Sequence, residues 1–201
     1  MARLEGATIT REQFLLREMR VACQLREGGL EDDALVNKIA SKNLVQYPTE
    51  RMVKNIARVC VKRMNAVESP LVVHIIATGE KNAASQANLY TMMCTYPLVR
   101  DFMLHEVGRR YAQFDYQLGR AEVGSYLANL QAQYENIARL SDLTIEKINQ
   151  VLRHCLAECG MLKSSKSSTL LPVFLDADVR LAIEDKGDSQ ALGAFGETGT
   201  I

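Results

Sequence analysis

Net charge, a long apolar run and a complete catalytic signature are all missing from this 201-residue chain. Its 24 basic side chains are balanced by 24 acidic ones. A neutral chain has no global field to draw in polyanions, so very tight non-specific nucleic-acid binding is not expected, and any charged function has to rest on a local excess. The longest apolar stretch, Leu71 to Ala77, is interrupted by His74, far short of the roughly 20 residues that cross a bilayer. The first residues, MARLEGATITREQF, contain no apolar stretch that could act as a secretory signal. The five cysteines (23, 60, 94, 155 and 159) are odd in number and widely spread, which excludes a disulfide framework and fits reduced thiols on helix faces. A cytoplasmic protein with no membrane partner is expected.

Catalytic chemistry is equally thin. His105-Glu106 opens like the zinc-protease HExxH, but Arg109 stands where the second histidine must lie one helical turn on. His154, Cys155 and Cys159 do not form a metal set, because both thiols belong to an apolar stripe and His154 points away from it. Gly79-Glu80-Lys81-Asn82 lacks the Gly-Lys-Ser/Thr ending of a phosphate loop, and no GxGxxG or GxSxG occurs. Asp176 and Asp178 serve better as helix caps than as a paired acid and base. No enzyme, cofactor or metal is expected.

What the chain has is helical periodicity, nearly uninterrupted from residue 10 to 160. With 47 % hydrophobic residues it can bury a sizeable core. Gly28-Gly29 ends a helix that starts near Thr10, and the acids Glu31, Asp32 and Asp33 open the next. Ser69-Pro70 opens a short apolar helix closed by Gly79. Asn82 to Tyr96 and Leu98 to Phe114 follow, split by Pro97. Glu122 to Tyr134 is a further helix, and Ser141 or Asp142 caps a long one running to Gly160. The expected organisation is an N-terminal unit (1–66), a central helical core (67–118), a C-terminal unit (119–184) and a Gly-rich, mobile tail (185–201) that carries no site.

The most informative segment is Leu30 to Asn65, two helices of which the second is apolar on one side and cationic on the other. Met52, Val53, Ile56, Val59 and Cys60 recur at the spacing of one buried stripe, which places Arg51, Lys54, Arg58 and Lys62 on the opposite arc. From Thr49 to Asn65 the bases Arg51, Lys54, Arg58, Lys62 and Arg63 face a lone acid, Glu50. In the late helix, Ile148, Val151, Leu152, Cys155, Leu156 and Cys159 make the core stripe, with Lys147, Gln150 and His154 outside it and Arg153 at the flank. Short strand-like runs at 161–163 and 169–174 then surround a Ser-rich tip holding Lys166. The fold expected is all-α and compact, with two helix-turn-helix-like units, the second winged by a small β-hairpin. A solvated cationic face and a hairpin that merely closes the domain are the plain alternatives.

The run Lys38-Ile39-Ala40-Ser41-Lys42-Asn43-Leu44, the motif Tyr96-Pro97-Leu98-Val99-Arg100-Asp101-Phe102, and the helix Leu152 to Leu162 ending ECGML before Leu171-Pro172 give the chain a resemblance to a known family. From about Phe14 to Ile183 it resembles the BrxA family, a small core component of bacterial bacteriophage-exclusion (BREX) defence systems. The resemblance implies an all-helical protein with two helix-turn-helix units beside positive surface. It also implies association with duplex DNA, inside a system that methylates host DNA and blocks phage replication. Similarity of that family to the RNA-binding antitermination protein NusB keeps RNA open as the lesser partner. With this resemblance, Arg51, Lys54, Asn55, Arg58 and Lys62 are expected to contact DNA, the arginines or Asn55 reaching a base edge. Lys147, Gln150, Arg153, His154 and Lys166 would form a second zone. The rival expectation is an assembly subunit that binds other defence components, such as the methyltransferase, through the same basic faces.

Overall fold

The computed structural model describes residues 4–197. A short turn, α1 (Ile9–Glu12), precedes α2 (Leu16–Glu27), α3 (Asp32–Lys42), α4 (Glu50–Val67) and α5 (Pro70–Thr78). Asn43 closes α3 in the left-handed conformation at φ 45°, which asparagine tolerates. Thr49 caps α4 by accepting from the Met52 N–H, and Ser69 caps α5 by accepting from the Val72 N–H, with Pro70 at the first helical position. α2 lies against α5, and α3 against α4.

The central helix is α6 (Lys81–Thr95), buried without a break from Ala83 to Met93. A helix enclosed on all sides must satisfy its polar residues internally. Asn88 Nδ2 donates to the Phe14 carbonyl at 2.6 Å, and Gln86 holds the segment ahead of α12 (Ala177–Asp185) by donating to Phe174 O at 3.0 Å and accepting from Asp176 N at 2.9 Å. α7 (Pro97–Asp101) runs through a π-helical turn, Phe102–Gly108, into α8 (Arg109–Ala112). α9 (Arg120–Gln133), α10 (Glu135–Ala138) and α11 (Asp142–Glu158) follow, and α13 (Gln190–Gly193) comes last. Buried side chains from Leu4 to Phe195 make one cluster, so the expected boundaries near 66 and 118 fall inside a shared core.

Four expectations are corrected. The helix expected to start near Thr10 is broken at Gln13–Leu15, because the guanidinium of Arg63 draws off the carbonyls of Glu12, Gln13 and Phe14, which would otherwise accept along the helix. The inner face of α4 is rotated from the expected stripe: Val53, Ala57, Cys60, Val61, Arg63, Met64 and Val67 are buried, while Met52 is 44 % exposed. The wing is not a two-stranded hairpin, since 162 and 170 meet in one isolated bridge while 169 pairs with 117. Leu118 N donates to Ser168 O at 2.8 Å and Leu170 N to Tyr116 O at 2.7 Å. The Ser-rich tip closes on itself, Ser164 N donating to Ser167 Oγ at 3.1 Å, and such local side-chain bonds compete with a ladder.

The last correction concerns the C-terminal segment. Residues 185–197, expected to be mobile, are packed: Phe195 is fully buried, and Asp188 takes a two-pronged pair from Arg100 at 2.8 and 2.6 Å and a hydrogen bond from the Tyr90 hydroxyl at 3.1 Å. Gly108 allows the approach, because a Cβ there would stand 3.0 Å from Gly193 O. The remainder of the expected tail lies outside the described residues.

Candidate nucleic-acid interface

Helices α3 and α4 run antiparallel. Asn65 Nδ2 donates to Asp32 Oδ2 at 2.7 Å near one end, and Val36 and Asn37 share a groove with Lys54, Arg58 and Val61 further along. Their connection spans residues 43–49, longer than the roughly 3–4 residues of a DNA-reading helix-turn-helix. The pair is therefore a helical hairpin that presents one side of α4.

On that side Arg51, Asn55, Arg58 and Lys62 are exposed. Lys54 is half-buried and pairs with Glu50 at 2.5 Å, which holds the Glu50 carboxyl below its usual range through their hydrogen bond and then through charge. Lys62 pairs with Glu12 at 3.0 Å and lies 4.6 Å over the Tyr96 ring. Arg51 and Arg58 have no carboxylate within ion-pair distance among the described residues, although Asp32 and Asp33 line the same groove as Arg58. Sequence reasoning counted cations and missed these internal partners; the i,i+4 spacing of Glu50 and Lys54 was the available signal. Glu12 carries no such signal, because it arrives from another helix.

The second zone is divided. Lys147, Gln150, His154 and Lys166 are exposed, with Gln150 Nε2 donating to Glu146 at 3.2 Å and His154 3.9 Å from Glu158. Arg153 turns inward at 8 % exposure, and its Nη2 donates to Ser167 O at 3.3 Å. Desolvation by burial, then the charge of Arg120, pull its pKa below the ordinary arginine value. α11 packs on α9 and α1, whereas α4 packs on α2, α3 and α6, so the two zones belong to different neighbourhoods of the fold.

Four of the five thiols, those of Cys23, Cys60, Cys155 and Cys159, are sunk in the core, and Cys94 is half-buried. Cys60 and Cys155 are each pushed up to about 12 by burial, and Cys159 is raised by the same cause, with its Sγ 3.3 Å from Ser85 O. Such thiols hold little thiolate near neutrality. Among the described residues no three His, Cys, Asp or Glu side chains are grouped to hold a metal, and no helix is long and apolar enough to cross a membrane.

The YPLVRDF motif joins distant segments. The Tyr96 hydroxyl donates to Glu12 at 2.5 Å and accepts from Arg63 Nε at 3.2 Å; Arg100 holds Asp188; Asp101 accepts from the Tyr126 hydroxyl at 2.7 Å; and Phe102 packs against the Tyr126 ring with centroids 5.3 Å apart. Its side chains fasten α1, the C-terminal segment and α9 to the core.

Fold and surface together define a small all-helical protein whose chemistry-bearing groups are surface cations around a tied core. The BrxA family model matches residues 6–187, so the chain belongs to the BrxA family of BREX phage-defence systems. It is 28 % identical over 183 residues to a BREX protein BrxA of Bacillus cereus (strain H3081.97), covering 90 % of this chain and 91 % of that one. To a BREX protein BrxA of Escherichia coli O9:H4 (strain HS) it is 22 % identical over 179 residues, covering 89 % and 84 %. The crystal structure of an uncharacterized protein from Magnetospirillum magneticum shares the fold, with a TM-score of 0.81 at 19 % identity over 95 % of this chain and 97 % of that one.

Proposed function

We propose that this chain is a non-enzymatic, DNA-binding accessory protein of its BREX system, contacting duplex DNA through the outer arc of α4. One observation carries the reading: Arg51 and Arg58, two turns apart on one helix, are exposed and have no carboxylate ion-pair partner among the described residues, with Asn55 between them. Cations held out of internal ion pairs are free to neutralise phosphates and release counterions, while Asn55 has the donor and acceptor to read an adenine edge. Lys54 and Lys62 add less, because phosphate has to displace Glu50 and Glu12 first. Affinity is modest and salt-sensitive, in the micromolar range typical of about 10⁻⁴ to 10⁻⁶ M for non-specific binding.

An assembly role with other BREX components is the second reading. Phe114 and Phe174, 78 % and 89 % exposed, favour it, because large bare aromatics are enriched where proteins meet. Fluorescence anisotropy with labelled duplex DNA, competed by duplex RNA, tests the first reading. Binding lost in an Arg51→Ala, Arg58→Ala variant supports it; wild-type protein that fails to bind at low salt hands the case to assembly.

A further inference from the structure

Among the described residues three arginines are buried, Arg63, Arg110 and Arg153, and of these Arg153 alone has neither a carboxylate within ion-pair distance nor a partner for every buried nitrogen. Arg63 is more deeply buried, but its nitrogens meet three carbonyls and a hydroxyl; Arg110, also buried, has Glu106 at 2.8 Å and Asp115 at 2.6 Å. Arg153 has a single bond, to Ser167 O at 3.3 Å, and its Nε is buried with no partner. A charge taken out of water costs stability unless it is paired. Glu146, the acid of the preceding turns of α11, is occupied by Arg120 at 3.1 Å and Gln150 at 3.2 Å. Glu122 on α9 is turned to the Gly119 N–H at 2.7 Å. Both acids act on Arg153 through charge, but among the described residues neither comes within ion-pair distance of it.

The wall over this guanidinium is the tip 164–168, laid against the start of α9, where Ser168 touches Gly119. Within the tip Ser164 and Ser167 bond to each other; among the described residues the hydroxyls of Ser165 and Ser168 have no hydrogen-bond partner, and Lys166 on the tip and Lys163 beside it have no ion pair. One turn back along α11, Asn149 Oδ1 is also buried and unpartnered while its Nδ2 holds Arg120 O at 3.0 Å. The region is polar, cationic and incompletely satisfied from within.

We infer that Arg153 and the tip 164–168 form an anion pocket for a phosphate group: the guanidinium binds two phosphate oxygens, Lys166 adds charge, and the Ser165 and Ser168 hydroxyls donate. The pocket deepens the DNA-binding reading, on which its physiological source rests, a backbone phosphate held beside the outer arc of Lys147, Gln150 and His154. Arginine suits such a place because its planar fork matches two oxygens and it stays charged where a lysine would lose its proton. Binding requires the tip to lift from the buried Nε, which its few backbone bonds permit.

The test compares wild type with Arg153→Met and Arg153→Lys by thermal melting in sodium phosphate against sodium chloride at matched ionic strength, and by duplex titration across salt. Phosphate at ten times its dissociation constant should raise the wild-type Tm by roughly 3–6 °C. The rise should vanish in Arg153→Met and shrink in Arg153→Lys. In phosphate-free buffer Arg153→Met should melt at or above the wild-type temperature, since an unpaired buried charge is removed, and its duplex salt slope should fall by about 1. A phosphate response absent from wild type, or equal in wild type and Arg153→Met, overturns the pocket whether or not duplex binds. A response that depends on Arg153 in a protein that binds no duplex upholds the pocket for free phosphate and overturns the DNA reading alone.

Discussion

Arg63 and Arg153 each sit near the middle or end of a long helix, each turned from water, yet they meet opposite surroundings. Around Arg63 the chain has rearranged itself: a helix stops at Glu12, and three consecutive carbonyls and the Tyr96 hydroxyl face the guanidinium. Around Arg153 the helix runs on unbroken, and among the described residues one carbonyl is its only hydrogen-bond partner, with Glu146 and Glu122 acting on it through charge from beyond ion-pair distance. A buried cation that the fold satisfies is part of the scaffold, whereas one left unsatisfied points outward to a ligand. The same grading orders the remaining arginines, from Arg100 locked to Asp188, to Arg51 and Arg58 on the open arc of α4.

Replacement energies should follow that order, and any inversion breaks the comparison. Arg63→Ala strands the carbonyls of Glu12 and Gln13 and takes one of two partners from the Phe14 carbonyl and from the Tyr96 hydroxyl, and should cost about 3–5 kcal/mol in urea unfolding, with amide exchange rising first in residues 4–14. A loss under about 1 kcal/mol would show the strap is held by its apolar contacts instead.

Asp188→Asn should cost less, about 1–2 kcal/mol at pH 7, the pair being partly exposed. Burial raises the Asp188 carboxyl, but the hydrogen bonds and charge of Arg100 outweigh it and hold it below the usual aspartate range. The folded-state value is therefore the lower one, so the stabilisation is full above the unfolded value of about 3.9 and is lost as pH falls through the folded value. Wild type and Asp188→Asn should differ in Tm at pH 7 and converge in stability below about pH 4. A difference that persists in acid would mean the asparagine perturbs packing.

Arg153→Met should change stability by about 0 or raise it slightly, and Arg51→Ala and Arg58→Ala by no more than about 0.5 kcal/mol each. Calorimetry of the three variants side by side sharpens the contrast: a marked loss at Arg153 would place it with Arg63 in the scaffold.

How far these roles could be read from the sequence depended on whether they were local. The helices were legible because their caps and breaks are, as at Thr49, Ser69-Pro70 and Ser141, whose side chain caps α11. The outer arcs were legible for the same reason, since Arg51, Asn55, Arg58, Lys147 and His154 fall where a 3.6-residue period puts them. Tertiary partners were not. Arg63 reads as one more cation of a basic helix until α1 is folded onto it, and Arg153 reads as a flank residue until the tip 164–168 closes. The Gly-rich composition of 185–197 hid a docking segment, received where Gly108 of the core has no side chain to hold off Gly193 O. The strand-like run at 169–174 found its partner at 116–118, a pairing no local pattern announces.

The central claim, that α4 meets duplex DNA through cations the fold leaves free, is tested most directly by the salt dependence of duplex affinity in wild type and in the Arg51→Ala, Arg58→Ala variant. The account predicts that log K falls linearly with log salt in wild type and that the variant, still folded, binds more weakly with a slope smaller by about 2, similarly for unrelated sequences. An unchanged affinity and slope in the folded variant would contradict it.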